Sequence, residues 1–220
     1  MDRMTTPRAG SIADDKPDKI IHPVMVRITH WINAIAIVMM VMSGWRIYNA
    51  SPLFDFRFPS ELTLGGWLGG AIAWHFAAMW LLVINGAVYL GYGLYSEHFK
   101  KDFLPLRIAD LIADTRAALT FKLDHESGHY NSVQRLLYLG VIGVILLVVL
   151  SGLAIWKPVQ LYYLTSLLGG YEIARHVHFF AMSGIVAFVL VHLTLVILVP
   201  KTLPPMFTGR AYRKEMESQT

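Results

Sequence analysis

Apolar side chains fill four long stretches of the chain, at residues 26–48, 67–92, 134–156 and 177–199, and polar or charged residues collect between them. At ~1.5 Å rise per residue each stretch crosses a ~30 Å hydrocarbon layer as a helix. Helices of a soluble bundle show a polar face every turn, whereas residues 140–150 contain no polar side chain at all. The pattern predicts an all-α fold, an integral membrane four-helix bundle spanning residues 23–200. A polar tail at 1–22 precedes it and a second tail at 201–220 follows.

The connections differ in character. Between the second and third stretches, Leu104, Ile108, Leu111, Ile112 and Leu119 recur near helical spacing, with Asp110, Asp114 and Arg116 among them. This predicts a helix at about 104–120, either lying in the membrane interface or serving as an ordinary capped loop helix. The connections at 49–60 and 164–170 contain Gly, Pro and Ser and are expected to be partly irregular. The polar segment 1–22 does not look like a signal peptide and no cleavage pattern follows the first helix, so that helix is expected to stay in the mature protein.

Composition agrees with the pattern. Hydrophobic residues make up 55% of the 220 and charged residues only 15%, against about half and about a quarter in soluble domains. The absence of cysteine excludes disulfides, thiolate metal sites and cysteine nucleophiles. A pI near 9.3 would suit a nucleic-acid partner, but the basic residues form no binding face. They follow topology instead. Fifteen Lys and Arg fall on the side of the two tails and the 96–135 connection; only Arg46, Arg57, Lys157 and Arg175 fall opposite. That asymmetry predicts both termini in the cytoplasm.

Histidines inside the spans carry the chemistry: His30, His75, His178 and His192. A lone imidazole in a lipid-embedded helix is usually hydrogen-bonded to a neighbouring helix, because burying it unsatisfied is costly. Four of them, with no carboxylate in the spans to pair with, call for a shared acceptor. His178 and His192 are fourteen residues apart, which returns them to within ~40° of one helix face, ~21 Å apart along the axis. His176 points away from that face. Depth pairs His30 with His192 near the inner surface and His75 with His178 in the outer half, with some offset between the latter two. Two imidazoles do not complete a tetrahedral zinc site. Haem iron takes two axial ligands and the porphyrin supplies the rest, so the arrangement predicts two b-type haems exchanging electrons. Gly44, Ser151 and Gly152 either let the haem rings approach the backbone or pack helices. Arg27 and Arg175 each precede a histidine by three residues and share its face; they either meet haem propionates or sit at the interface to set topology.

The run Pro23-Val24-Met25-Val26-Arg27-Ile28-Thr29-His30-Trp31, the pair His75-Phe76, and Arg175-x-x-His178 with His192 beyond it resemble bacterial di-haem cytochrome b subunits. These are the cytochrome b561 family and the membrane subunits of nickel–iron hydrogenase, formate dehydrogenase and thiosulfate reductase. The resemblance runs over residues 20–200. It implies a multi-pass protein of the bacterial inner membrane that carries electrons between the quinone pool and a periplasmic oxidoreductase subunit of the molybdenum or nickel–iron type. In the formate dehydrogenase type an Asn and a Gln at the start of helix three stand beside the quinone. Here the corresponding residues are Asn131 and Gln134, helix capping being the other reading of Asn131.

Two further readings compete. A stand-alone enzyme of the same family would oxidise superoxide at the outer face and reduce quinone, which a cationic funnel would favour. A haem-free transporter or scaffold would use the histidines as proton relays, but the spans lack the carboxylates and Pro/Gly breaks expected of one.

Overall fold

The computed structural model describes residue 20, residues 22–96 and residues 132–210, the side chains of 132–138 excepted. The expected helix at 104–120, Asn131 and the side chain of Gln134 lie outside the described residues, as do residues 1–19 and 211–220 of the two tails.

Among the described residues four helices are long and apolar enough to cross a membrane. They are α1 (Val24–Ala50), α2 (Leu68–Tyr95), α3 (Ser132–Trp156) and α5 (Tyr171–Leu198). The described residues also form two short α-helices, α4 (Tyr162–Leu167) and α6 (Leu203–Thr208). The chain is a multi-pass membrane bundle with its terminal segments at one end, here called lower. The 51–67 loop and α4 lie at the other, upper end.

Backbones come close along two pairs, α1 against α2 and α3 against α5. Small residues permit this: Ala36, Ala71, Ala78, Ala154 and Ala174 are wholly buried. In lipid, where apolar surface gains nothing by leaving the solvent, such close backbone approach is the main source of helix association. A polar tie supplements it, since buried Asn85 of α2 donates to the Thr29 carbonyl of α1 (2.8 Å) and to Asn33 Oδ1 (2.7 Å). Side chains bridge the two pairs. Midway, Val148 of α3 and Ala181 and Ile185 of α5 form a buried cluster, against which Ile37 of α1, Val144 and Ile145 of α3 and Val189 of α5 pack.

The upper end is closed by an aromatic loop. Tyr48 Oη and Asn49 hold the backbone of Phe54 and Phe58, and Tyr48 stacks on Phe56 and on Phe179 of α5, centroids 5.2 Å apart in both cases. Gly65, at φ 107°, turns the loop into α2; a Cβ there would collide with the backbone of Ala71. At the lower end, residues expected as tail fold back onto the start of α1. Arg27 donates to the Phe207 carbonyl, Trp31 Nε1 donates to the Met206 carbonyl (3.3 Å), and Trp31 stacks on Phe207 at 4.8 Å.

Candidate functional site

Helix starts set the depth of each histidine. α5 begins at Tyr171, six residues before the apolar run that predicts it, because Gly170 (φ 95°) caps a polar first turn. His178 therefore stands seven residues into α5, and His75 stands seven residues into α2. The offset expected between them disappears. His30 is six residues from the lower end of α1 and His192 six from the lower end of α5.

The rings meet in two levels. In the upper pair, His75 and His178 have centroids 6.4 Å apart with planes at 65°. In the lower pair, His30 and His192 are 6.1 Å apart at 61°. An imidazole nitrogen lies about 2 Å from a metal it ligates, so two rings on opposite sides of one ion have centroids roughly 6 Å apart. Both pairs fit an iron between them. Among the described residues no group of three or more His, Asp or Glu side chains is gathered as for an all-protein metal site. That leaves the remaining coordination positions to the metal's own macrocycle, as in haem. The apolar layer of Ile37, Val148, Ala181 and Ile185 separates the levels.

Hydrogen bonds fix the tautomer of the upper pair. His178 Nδ1 faces the Val148 carbonyl at 3.0 Å and Ser151 Oγ at 3.1 Å. A carbonyl only accepts, so Nδ1 carries the proton and Nε2 keeps its lone pair. His75 Nδ1 lies 3.0 Å from Ser43 Oγ, whose own proton goes to the Met39 carbonyl at 2.6 Å. The same tautomer follows. In the lower pair, His30 meets the edge of Trp31 at 5.4 Å and His192 stacks on Phe188 at 6.1 Å, planes 11° apart.

The two arginines are engaged by the protein. Arg27 reaches the Phe207 carbonyl and packs against Gly209, and its buried Nε has no hydrogen-bond partner among the described residues. Arg175 donates to the Ser51 carbonyl (2.6 Å), to Ser51 Oγ (3.1 Å) and to Glu172 (3.2 Å), tying α5 to the end of α1. His176 turns aside and bonds the Glu172 carbonyl at 2.8 Å. Gly44 and Gly152 lie beneath the imidazoles of His75 and His178, so what approaches the backbone at those points is the histidine ring. Spacing did not single out Ser43, the Val148 carbonyl or Asn85. The recurrence of Ser-Gly at the upper ends of α1 and α3 is the one sequence signal that touches them.

Residues 21–209 match the family described as prokaryotic cytochrome b561. The chain is 54% identical over 190 residues, 86% of its own length and 96% of the relative's, to the putative protein-methionine-sulfoxide reductase subunit YedZ1 of Azospira oryzae. No solved structure matches it.

Proposed function

Because the chain belongs to the prokaryotic cytochrome b561 family, whose members are membrane proteins that bind b-type haem, we propose that it is a di-haem subunit carrying electrons between the quinone pool and a periplasmic oxidoreductase. His30 and His192 would hold one haem, His75 and His178 the other. The observation that carries this is the presence of two facing imidazole pairs on the walls of one bundle, at 6.1 and 6.4 Å.

Held between these imidazoles, haem would supply one-electron transfer. The chain's own residues do the rest. Val148 and the two serines orient the upper imidazoles. Tyr48, Phe54, Phe56 and Phe179 form an aromatic cluster over the upper end, and the apolar layer between levels keeps the sites apart. Both termini lie in the cytoplasm, so the upper level serves the periplasm and the lower level the cytoplasmic leaflet, where Asn131 and Gln134 take part in quinone binding. Arg27 and Arg175, on the faces of His30 and His178, would serve as cationic partners of the haem propionates by exchanging the contacts they now make with the Phe207 carbonyl and with Ser51 and Glu172.

The relative's name identifies it as a subunit of a protein-methionine-sulfoxide reductase. The partner is accordingly a periplasmic oxidoreductase, of the molybdenum or nickel–iron type implied by the family resemblance, with methionine-sulfoxide reduction the activity that the relative's name favours. Superoxide capture would need a cationic surface at the upper end, where Arg175, one of the four basic residues on that side, is already bound to Ser51 and Glu172.

Quinol added anaerobically to the purified protein should reduce its haem absorbance. Adding the partner reductase with methionine sulfoxide should restore the oxidised spectrum. Haem that quinol leaves oxidised, or that superoxide alone reduces at a comparable rate, contradicts the reading.

A further inference from the structure

Ser43 and Ser151 stand in equivalent places. Each is wholly buried, each precedes a glycine, and each faces a histidine of the helix packed against its own. Each also has its hydroxyl anchored to a carbonyl four residues back, Met39 at 2.6 Å and Leu147 at 2.7 Å. That anchor commits the hydroxyl proton and leaves the oxygen lone pairs for the imidazole N–H, at 3.0 Å from His75 and 3.1 Å from His178, whose proton the Val148 carbonyl shares at 3.0 Å. A serine in a helix commonly bonds back to its own turn. Here the turn bond also aims an acceptor at the neighbouring helix, and both walls of the upper level carry one. Among the described residues nothing comparable stands against His30 or His192.

We propose that Ser43 and Ser151 are positioning residues that would lower the reduction potential of the upper haem by accepting hydrogen bonds from Nδ1 of His75 and His178, the latter together with the Val148 carbonyl. The proposal rests on the reading that His75 and His178 hold that haem. An imidazole that donates its second N–H to an acceptor is a more basic ligand. A more basic ligand favours the ferric over the ferrous state. Two such ligands on one iron act in the same direction, and the potential of the lower haem is set without them.

The test is a redox titration of the double variant Ser43→Ala, Ser151→Ala beside the parent and the double variant Ser43→Thr, Ser151→Thr, which keeps both hydroxyls. His75→Ala, which should lack the upper haem, assigns the two transitions. In the Ala variant the reduction equilibrium of the upper haem should shift about tenfold toward the ferrous form, about 59 mV for one electron. The lower transition should stay in place, and the Thr variant should titrate like the parent. Single Ala variants, each expected to shift about threefold, serve if the double variant does not assemble. Loss of the upper haem from the Ala variant with its retention in the Thr variant also supports the assignment. An unmoved upper potential with both haems bound overturns it, and so does equal behaviour of Ala and Thr. A parent protein with no haem is a different result: it refutes the ligation reading itself.

Discussion

A Cβ placed on Gly152 would stand 3.2 Å from His178 Cε1, closer than side chains normally tolerate, whereas a Cβ on Gly44 would stand 3.4 Å from His75 Cε1, an ordinary contact. The two glycines look equivalent in sequence but differ in room. Gly→Ala inside a helix gains up to about 1 kcal/mol of helix stability. Gly44→Ala should therefore be neutral or slightly stabilising and leave the visible spectrum unchanged. Gly152→Ala must push a ring held on two acceptors, and should shift the upper haem's spectrum and speed its loss on heating. Equal behaviour of the two variants would show that His178 has slack the geometry does not give it.

The histidine pairs make a directional prediction. His75→Ala should reduce haem content from two per chain to one and spare the lower haem, and His192→Ala should do the reverse. Haem assay of purified variants together with the surviving potential decides it. If either single variant loses both haems or keeps both, the pairing is wrong.

Much of this was legible from the chain itself. Uninterrupted apolar runs such as residues 140–150 leave only a lipid-facing reading, and the fourteen-residue interval between His178 and His192 fixes their shared face on any α-helix. What stayed hidden depends on register between helices. Spacing along α3 cannot show that Ser151 meets His178 of α5, nor that Gly44 and Gly152 lie under imidazoles. The apolar pattern puts the start of α5 six residues late because Tyr171, Glu172 and Arg175 interrupt the apolar run; they form a polar first turn at the membrane edge, with Arg175 reaching Ser51. Helix α4 is six residues of mixed aromatic and polar character, too short for a periodic signal. Arg27's partner lies 180 residues away in the returning C-terminal segment, a contact that no local pattern encodes.

Asn85 supplies the buried polar tie between α1 and α2. Interhelical hydrogen bonds in membranes average about 0.6 kcal/mol and reach about 1.7, so Asn85→Leu should cost an amount in that range. Because Asn33 shares the bond, the double variant Asn33→Leu, Asn85→Leu should lose less than the sum of the singles. Unfolding in detergent measures both. Additive losses would mean that the two asparagines act separately.

His22 lies outside the spans, and its backbone N–H donates to the Gly209 carbonyl at 3.3 Å. Burial, and next the charge of Arg27, hold its pKa below the ordinary histidine value. The undocked segment therefore binds the proton more readily than the docked one. Docking should be constant above about pH 6.5, weaken as the pH falls below that value, and level off below His22's own lowered pKa. Limited proteolysis around residues 203–210 should accelerate on going from about pH 7.5 to about pH 5.5, and His22→Gln should flatten the dependence. Cleavage in the wild-type chain that ignores pH over that range would contradict it.

The ratio of haem to polypeptide in the protein purified from haem-replete cells bears most directly on the whole account. Two facing imidazole pairs predict two b haems per chain, resolved as two transitions in a redox titration. One haem would leave one of the pairs without its role, and a colourless preparation would remove the basis for both.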